Sequence, residues 1–397
     1  MDFTFTPAEE AFRAEVRAWV RENVPGDWGS PAWPIPEDPG DLERAFRAWD
    51  RKLYRGGWAG ITWPREYGGR GATPIEQFIF QEEMAEHKTP PSMTLIGVGM
   101  AGPTLMAWGT PEQKTGHLEK ILSGEEIWCQ GFSEPNAGSD LAALETTAVS
   151  DGDCYIVNGQ KIWTSIAHRA DWCLLVTRTD PRAEKHKGLT YLMVDMRSPG
   201  IEVKPLRQMT GDAEFNEIFF TDVKVPKAHT LGRENQGWMV AITTLMHERV
   251  NIAALLYARF KQTLADVVSL ARRVRRDGRP SSEDAIVRRK LARFYALVEM
   301  QRLNNLRMRA HMKASDDPGP IGSIFKLIWA SANQELLELP VDILGPYAEL
   351  LPGSGAYTSD VDLWMKQFLR SRANSIEGGT SEVLRNIIGE RVLGLPR

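Results

Sequence analysis

Three stretches of this 397-residue chain carry side chains suited to chemistry. Over residues 239–252 apolar positions recur at helical spacing, and Glu248 falls with Leu245, Ile252 and Leu255 on the face that periodicity turns inward. Burial raises a carboxyl pKa and makes its anion a stronger base. The same placement suits an acid held in a structural salt bridge, and the residues alone leave both readings open. His247 beside it is either a second acid–base group or a histidine of the helix surface or a channel wall. The second stretch, 128–140, reads as a strand breaking into a loop. Trp128, Gln130 and Phe132 suit a strand edge, while Pro135, Asn136, Gly138 and Ser139 supply turn chemistry and backbone donors that can cradle a polar ligand. The third, 375–382, places Glu377 before Gly378-Gly379, with Thr380, Ser381 and Glu382 reading locally as a helix cap.

The surrounding pattern sets the elements that must hold these groups. From Pro7 to about Leu122 the signals are helical: Phe12, Val16, Trp19 and Val20 repeat at helical spacing, and a second helix follows Asp41, after a Pro-rich piece at 31–39. Thr73-Pro74-Ile75-Glu76 and Thr110-Pro111-Glu112-Gln113 each combine a cap, a first-turn proline and a capping-box partner. From about Glu125 short β-prone runs take over (155–157, 172–177, 190–194, 217–220), with Asp151-Gly152 and Asn158-Gly159 as turns. Helical periodicity returns after 232–238 and continues almost to Arg397. The chain is therefore expected to be α+β in the order α–β–α: an all-α domain over 1–122, a β-barrel or sandwich over 123–231, and a helical domain over 232–397.

The run 128–140, followed by Gln160-Lys161-Ile162-Trp163-Thr164-Ser165, resembles the two flavin-lining segments of acyl-CoA dehydrogenases. The likeness covers essentially the whole chain, including the two Thr-Pro helix starts and residues 57–69. It implies a C-terminal four-helix bundle, an FAD cofactor, and oxidation of an acyl-CoA thioester to the trans-2-enoyl-CoA. Many relatives carry the base just before a Gly-Thr pair; aligned on Gly379-Thr380, that position is Gly378, and Glu377 is one residue out. A one-residue shift turns a helical side chain by about 100°, which makes Glu377 a reserve candidate. Isovaleryl-CoA and long-chain dehydrogenases instead place the base on the first long helix of the C-terminal domain, before an Arg. Glu248-Arg249 matches that arrangement. The resemblance further implies that Gln130, Phe132 and Ser133 contact the isoalloxazine, with Trp163 and Ser165 beside its reactive edge, and that Thr380, Ser381 and Glu382 contact the flavin. Ser139 would meet the CoA arm, Arg249 and His247 would shape the substrate site, and the Gly378 N–H would bond the thioester oxygen. Read without the family, Ser133 and Ser139 are turn hydroxyls and Trp163 a core aromatic.

Two family elements are altered. An Arg-x-x-Phe-Gly element for the FAD pyrophosphate is not found; Arg272, Arg273, Arg275, Arg276, Arg279, Arg288, Arg289 and Lys290 stand in its region, as substitutes or as a solvated face. The Gln-x-x-Gly-Gly adenine loop appears as Asp342-Ile343-Leu344-Gly345-Pro346. Composition sets wider bounds. Lys+Arg 48 against Asp+Glu 52 gives no field that advertises nucleic acid or an anionic membrane. Cys129, Cys154 and Cys173, odd in number and without metal-ligand spacing, argue against a disulfide framework or metal site and for a reducing cytoplasm. No secretory signal or bilayer-spanning run is evident. The expected protein is a soluble homodimer or homotetramer in fatty or branched acyl metabolism, passing electrons to an electron-transfer flavoprotein. Competing readings are a flavin oxidase or monooxygenase on the same fold, a non-catalytic subunit of a hetero-oligomer, and a nucleic-acid-associated homologue.

Overall fold

Three helices begin with the same four-residue device. The first helices are α1 (Pro7–Asn23), α2 (Pro39–Arg55), α3 (Pro74–Glu86), α4 (Gly102–Trp108) and α5 (Pro111–Ser123). Thr73 and Thr110 cap α3 and α5, each hydroxyl accepting the N–H of the third helical residue while that residue's side chain accepts the cap N–H. Thr6 and Glu9 do the same for α1. The computed structural model describes residues 4–26, 28, 39–315, 322–350 and 358–396, with side chains at 39, 249–253, 310–315 and 358–362 left aside. The Pro-rich piece at 31–39 lies outside the described residues, apart from the Pro39 backbone that opens α2. No helix among the described residues is long and apolar enough to cross a membrane.

The chain divides into two compact units: Met1–Pro34 with Thr73–Thr89 and Arg249–Arg397, and Ile35–Ala72 with Pro90–Glu248. The second unit is built on β1 (Trp128–Gly131), β2 (Thr147–Asp151), β3 (Cys154–Ser165), β4 (Trp172–Arg178), β5 (Leu189–Asp195), β6 (Ile201–Leu206), β7 (Phe215–Pro226) and β8 (Thr230–Leu231). They form an eight-stranded sheet, ordered β6-β7-β3-β2-β4-β5-β8, with β1 laid parallel on β4. A single register pair, Thr147 with Arg178, joins β2 to β4. The sheet doubles over at this join, because Cys173, Leu175, Leu192 and Val194 share one core with Tyr155, Val157, Ile218 and Phe220. The alternate residues Leu174, Val176, Tyr191 and Met193 point the other way, into a core with Leu105, Ile121 and Ala241 from α4, α5 and α6 (Gly237–Arg273). Both faces of β4 and β5 are thus covered, which explains their unbroken apolar runs.

Asp151-Gly152 turns the chain between β2 and β3. Asn158-Gly159 does not. That dipeptide lies inside β3, at a register shift against β7 between Val157 and Gly159. Gly159 has φ 149°, and a Cβ there would stand 2.5 Å from Thr146 Oγ1; Asn158 spends its amide on Asp222 at 3.0 Å. The glycine therefore serves a bulge and a close approach, and the turn reading of Asn-Gly is corrected.

The first unit holds α1, α3, the remainder of α6, α7 (Ala285–Ser315), α8 (Gly322–Leu344), α9 (Thr358–Ser371) and α10 (Ser381–Ile387). Phe78, Phe260, Val267, Phe294, Leu336 and Trp364 belong to its core. Arg13 and Arg17 bind the wholly buried Glu83 at 3.1 and 2.9 Å, tying α1 to α3. Between α6 and α7 a hairpin of β9 (Arg275–Arg276) and β10 (Arg279–Pro280) turns on Asp277 and Gly278, both at positive φ.

Candidate active site

Alternation along β3 decides which of its side chains turn inward. Tyr155, Val157 and Lys161 share the inward parity and are buried; continued without interruption, it would bury Trp163 as well. A second register shift falls between Lys161 and Thr164. Trp163 takes φ 59° within it, and its side chain emerges 57% exposed, edge-on to Phe215 at 6.1 Å. The indole is therefore not a core aromatic. A non-glycine residue in this conformation costs about 1–3 kcal/mol and persists where the surroundings impose it. Thr164 takes the inward place, its hydroxyl buried without a partner, and Ser165 is half-buried.

The loop after β1 approaches the same end of β3. Gln130 and Ser133 are half-buried, and Phe132 is buried edge-on to Tyr191 at 5.8 Å. The Ser133 carbonyl accepts the Ile162 N–H at 2.9 Å. Beneath it lies a contact that sequence reading missed: the wholly buried Lys161 ammonium donates to the Phe132 carbonyl at 3.0 Å and to Glu134 Oε1 at 2.8 Å. Glu134 also accepts the N–H groups of Glu145 and Thr146 at 2.6 and 2.9 Å. Burial pushes the Glu134 carboxyl up, but the Lys161 charge and the hydrogen bonds outweigh it and hold it below the usual range. This pair clasps 132–134 to 161–163. The inward parity of Lys161 was the available signal.

Glu248 lies on α6, the last residue of the sheet-bearing unit. It is half-buried, as are Leu245 and Leu255; the side chains of Arg249 and Ile252 lie outside the described residues. His247 is half-buried, and burial lowers its pKa, so its imidazole is neutral at pH 7. One turn back, Thr244 Oγ1 lies 3.0 Å from the Tyr191 hydroxyl and 2.9 Å from Thr104 Oγ1. Ser139 is exposed, beside Asp140, which pairs with Lys185.

In the helical unit, Gly378 and Gly379 have φ 60° and 93°. The left-handed backbone supplies its own reason for glycine at 378. Thr380 caps α10 through the Val383 N–H at 3.2 Å, Ser381 is half-buried, and Glu382 pairs with Arg385 at 3.3 Å. Glu377 is held by Arg370 at 2.7 Å and by the Asn374 amide at 2.9 Å, which commits the reserve carboxylate to an ion pair. Asp342 pairs with Lys290 at 2.8 Å, and Gly345, at φ 55°, lies next to the Arg276 guanidinium. The two elements that depart from the family pattern are thus neighbours. A cavity of about 400 Å³ lined by Arg13, Glu82, Lys261 and Arg302 contains none of the candidates.

Gln130, Ser133 and Ser165 make no side-chain hydrogen bond to the described protein. With the bared Trp163 indole, they offer aromatic surface and uncommitted polar groups on neighbouring segments, a chemistry that suits a flat heteroaromatic ring with a polar edge. Family models for the N-terminal, middle and C-terminal domains of acyl-CoA dehydrogenases match residues 6–125, 129–223 and 235–393. Acyl-CoA dehydrogenase IpdE1 of Mycobacterium tuberculosis (strain ATCC 25618 / H37Rv) is 40% identical, covering 98% of both chains. The chain belongs to the acyl-CoA dehydrogenase family. Among solved structures, the Tcur3481-Tcur3483 steroid ACAD superposes with TM-score 0.85 at 33% identity, and the ChsE4-ChsE5 complex from Mycobacterium tuberculosis with 0.84 at 33%, each covering 100% of both chains. Acyl-CoA dehydrogenases are FAD flavoproteins and oxidoreductases of acyl metabolism, and this chain has their fold of helical, β and helical domains.

Proposed function

We propose that this chain is an FAD-dependent dehydrogenase of acyl-CoA thioesters, with Glu248 removing the α-proton. The observation that carries the reading is the placement of a half-buried carboxylate on α6 within the same compact unit as Gln130, Ser133, Trp163 and Ser165. When bound, FAD supplies the acceptor for the hydride that leaves Cβ. Glu248 takes the α-proton, and the electron pair of that C–H bond becomes the new Cα=Cβ bond of a trans-2-enoyl-CoA. Gln130, Phe132 and Ser133 position the isoalloxazine, Trp163 and Ser165 border its reactive edge, and Thr380, Ser381 and Glu382 are the remaining cofactor contacts. The Gly378 N–H donates to the thioester oxygen, a role that needs main chain alone and acidifies the α-carbon. Ser139 meets the CoA arm, while Arg249 and a neutral His247 shape the acyl site.

The substrate proposed is a bulky or polycyclic acyl-CoA. A 33% identical structure described as a steroid ACAD supports it. Anaerobic mixing with a panel of acyl-CoAs tests the function: flavin bleaching with enoyl-CoA formation is expected from bulky thioesters, and preferential turnover of short straight chains would refute the substrate class. Reduced flavin that reoxidises with electron-transfer flavoprotein but slowly with oxygen marks a dehydrogenase; fast oxygen reaction marks an oxidase.

The proposed assembly is a homodimer or homotetramer in the cytoplasm. A hetero-oligomer is the second reading, favoured by a relative solved as the ChsE4-ChsE5 complex and by the altered elements around Asp342 and Arg276. The protein expressed alone and holding nearly stoichiometric flavin supports the first; flavin gained only on coexpression with a second chain supports the other.

A further inference from the structure

Two consecutive threonines in the interior of α6, Thr243 and Thr244, lie just before the proposed base. Threonine is a poor choice there, because its β-branch restricts the rotamer and its hydroxyl bonds back to the preceding turn. Both do so, Thr243 to the Met239 carbonyl and Thr244 to the Val240 carbonyl, each at 3.1 Å. Their hydroxyls also bond outward. Trp108 Nε1 of α4 donates to Thr243 Oγ1 at 3.0 Å. Thr244 Oγ1 meets Thr104 of α4, Tyr191 of β5 and the Val240 carbonyl, and Thr104 Oγ1 also lies 2.8 Å from the Met100 carbonyl. Thr104, Tyr191 and Thr244 are all wholly buried. Burial pushes the Tyr191 phenol well up, so it remains a donor at any working pH. The same Tyr191 ring packs against Phe132 on the flavin-facing loop. Residues four apart share a helix face, so Thr244 stands one turn below Glu248.

We propose that Thr244, assisted by Thr243, is the positioning residue that fixes the Glu248 turn of α6 against α4 and the Tyr191–Phe132 side of the flavin site. This rests on Glu248 being the base, as proposed above. Thr244 itself touches no reacting atom; it sets the distance and angle at which the carboxylate meets the α-hydrogen. A hydroxyl at residue 244 is what the role requires, and the methyl group is incidental.

The test compares holoenzyme of wild type, Thr244→Val, Thr244→Ser and Tyr191→Phe by anaerobic flavin bleaching and by amide hydrogen exchange over residues 240–248 without substrate. Thr244→Val keeps the shape of the side chain and strands the buried Tyr191 hydroxyl, while Thr104 keeps its bond to the Met100 carbonyl at 2.8 Å. It is expected to slow bleaching at saturating acyl-CoA by about tenfold to a hundredfold, with the half-saturating concentration unchanged, and to speed exchange of the turn. Thr244→Ser restores both. Tyr191→Phe, which removes one of the three oxygens, moves both readouts the same way by less, and serves if the valine variant does not fold. Unchanged exchange in the variants, or a serine variant as impaired as the valine one, overturns the anchor. A Glu248→Gln protein that bleaches like wild type overturns the base assignment separately, whatever the exchange shows.

Discussion

Lys161 is the residue whose role the sequence disguised. It lies within the segment 160–165 that resembles the family's second flavin strand, and a lysine in a strand is ordinarily turned to solvent. Yet it is wholly buried on Glu134 and the Phe132 carbonyl. Removing one member of such a pair leaves an uncompensated buried charge, at about 3–5 kcal/mol. Lys161→Met should therefore lower the denaturant midpoint and release flavin; the double variant Lys161→Met/Glu134→Leu should recover most of the stability but not the flavin affinity, measured by equilibrium dialysis. The pair also sets an acid limb. The Glu134 carboxyl sits below its ordinary value when folded, so its contribution is complete above the unfolded carboxyl pKa and is lost as pH falls through the lower folded one. Thermal melts between pH 3 and 6 should show that loss in wild type and a flatter slope in Glu134→Gln. For Glu248 the sequence showed helical spacing with Leu245, Ile252 and Leu255 and a following Arg249; its half-burial on α6 fits that spacing, and its role as the base is the proposal made above.

Among elements, the local devices were the most readable. Thr-Pro-x-Glu and Thr-Pro-x-Gln write cap, first turn and capping box within four residues, and the structure closes them as written. Asn158-Gly159 failed the same kind of reading, because pairing of β3 with β7 over twelve residues outweighs a dipeptide's turn preference. The hairpin on Asp277-Gly278 was hidden by the opposite error, its arginines having drawn attention as charge while two left-handed residues made a tight turn. The bulge supplies a prediction at this scale. Gly159→Ala meets both a left-handed φ and the Thr146 side chain, and should cost about 1–3 kcal/mol in urea unfolding. Gly152→Ala, also at positive φ but with open space around it, should cost less.

At the scale of the molecule, the sequence reads as helices, strands and helices in succession, whereas the compact units are interleaved. Residues 73–89 join α1 and the C-terminal helices through contacts that no periodicity displays: Arg13 of α1 reaches Glu83 across 70 positions, and Tyr257 of α6 reaches Glu82 across 175. Such pairs are invisible until the fold brings them together. The family likeness, carried by 128–140 and 160–165, supplied what local pattern could not, including the cofactor.

The most direct test is anaerobic flavin bleaching by the best acyl-CoA of the panel, comparing wild type with Glu248→Gln. Bleaching should be slower by about 10²–10⁴-fold in the variant, with flavin content and melting temperature unchanged. Equal bleaching by the two proteins would contradict that expectation and remove Glu248 from the chemistry.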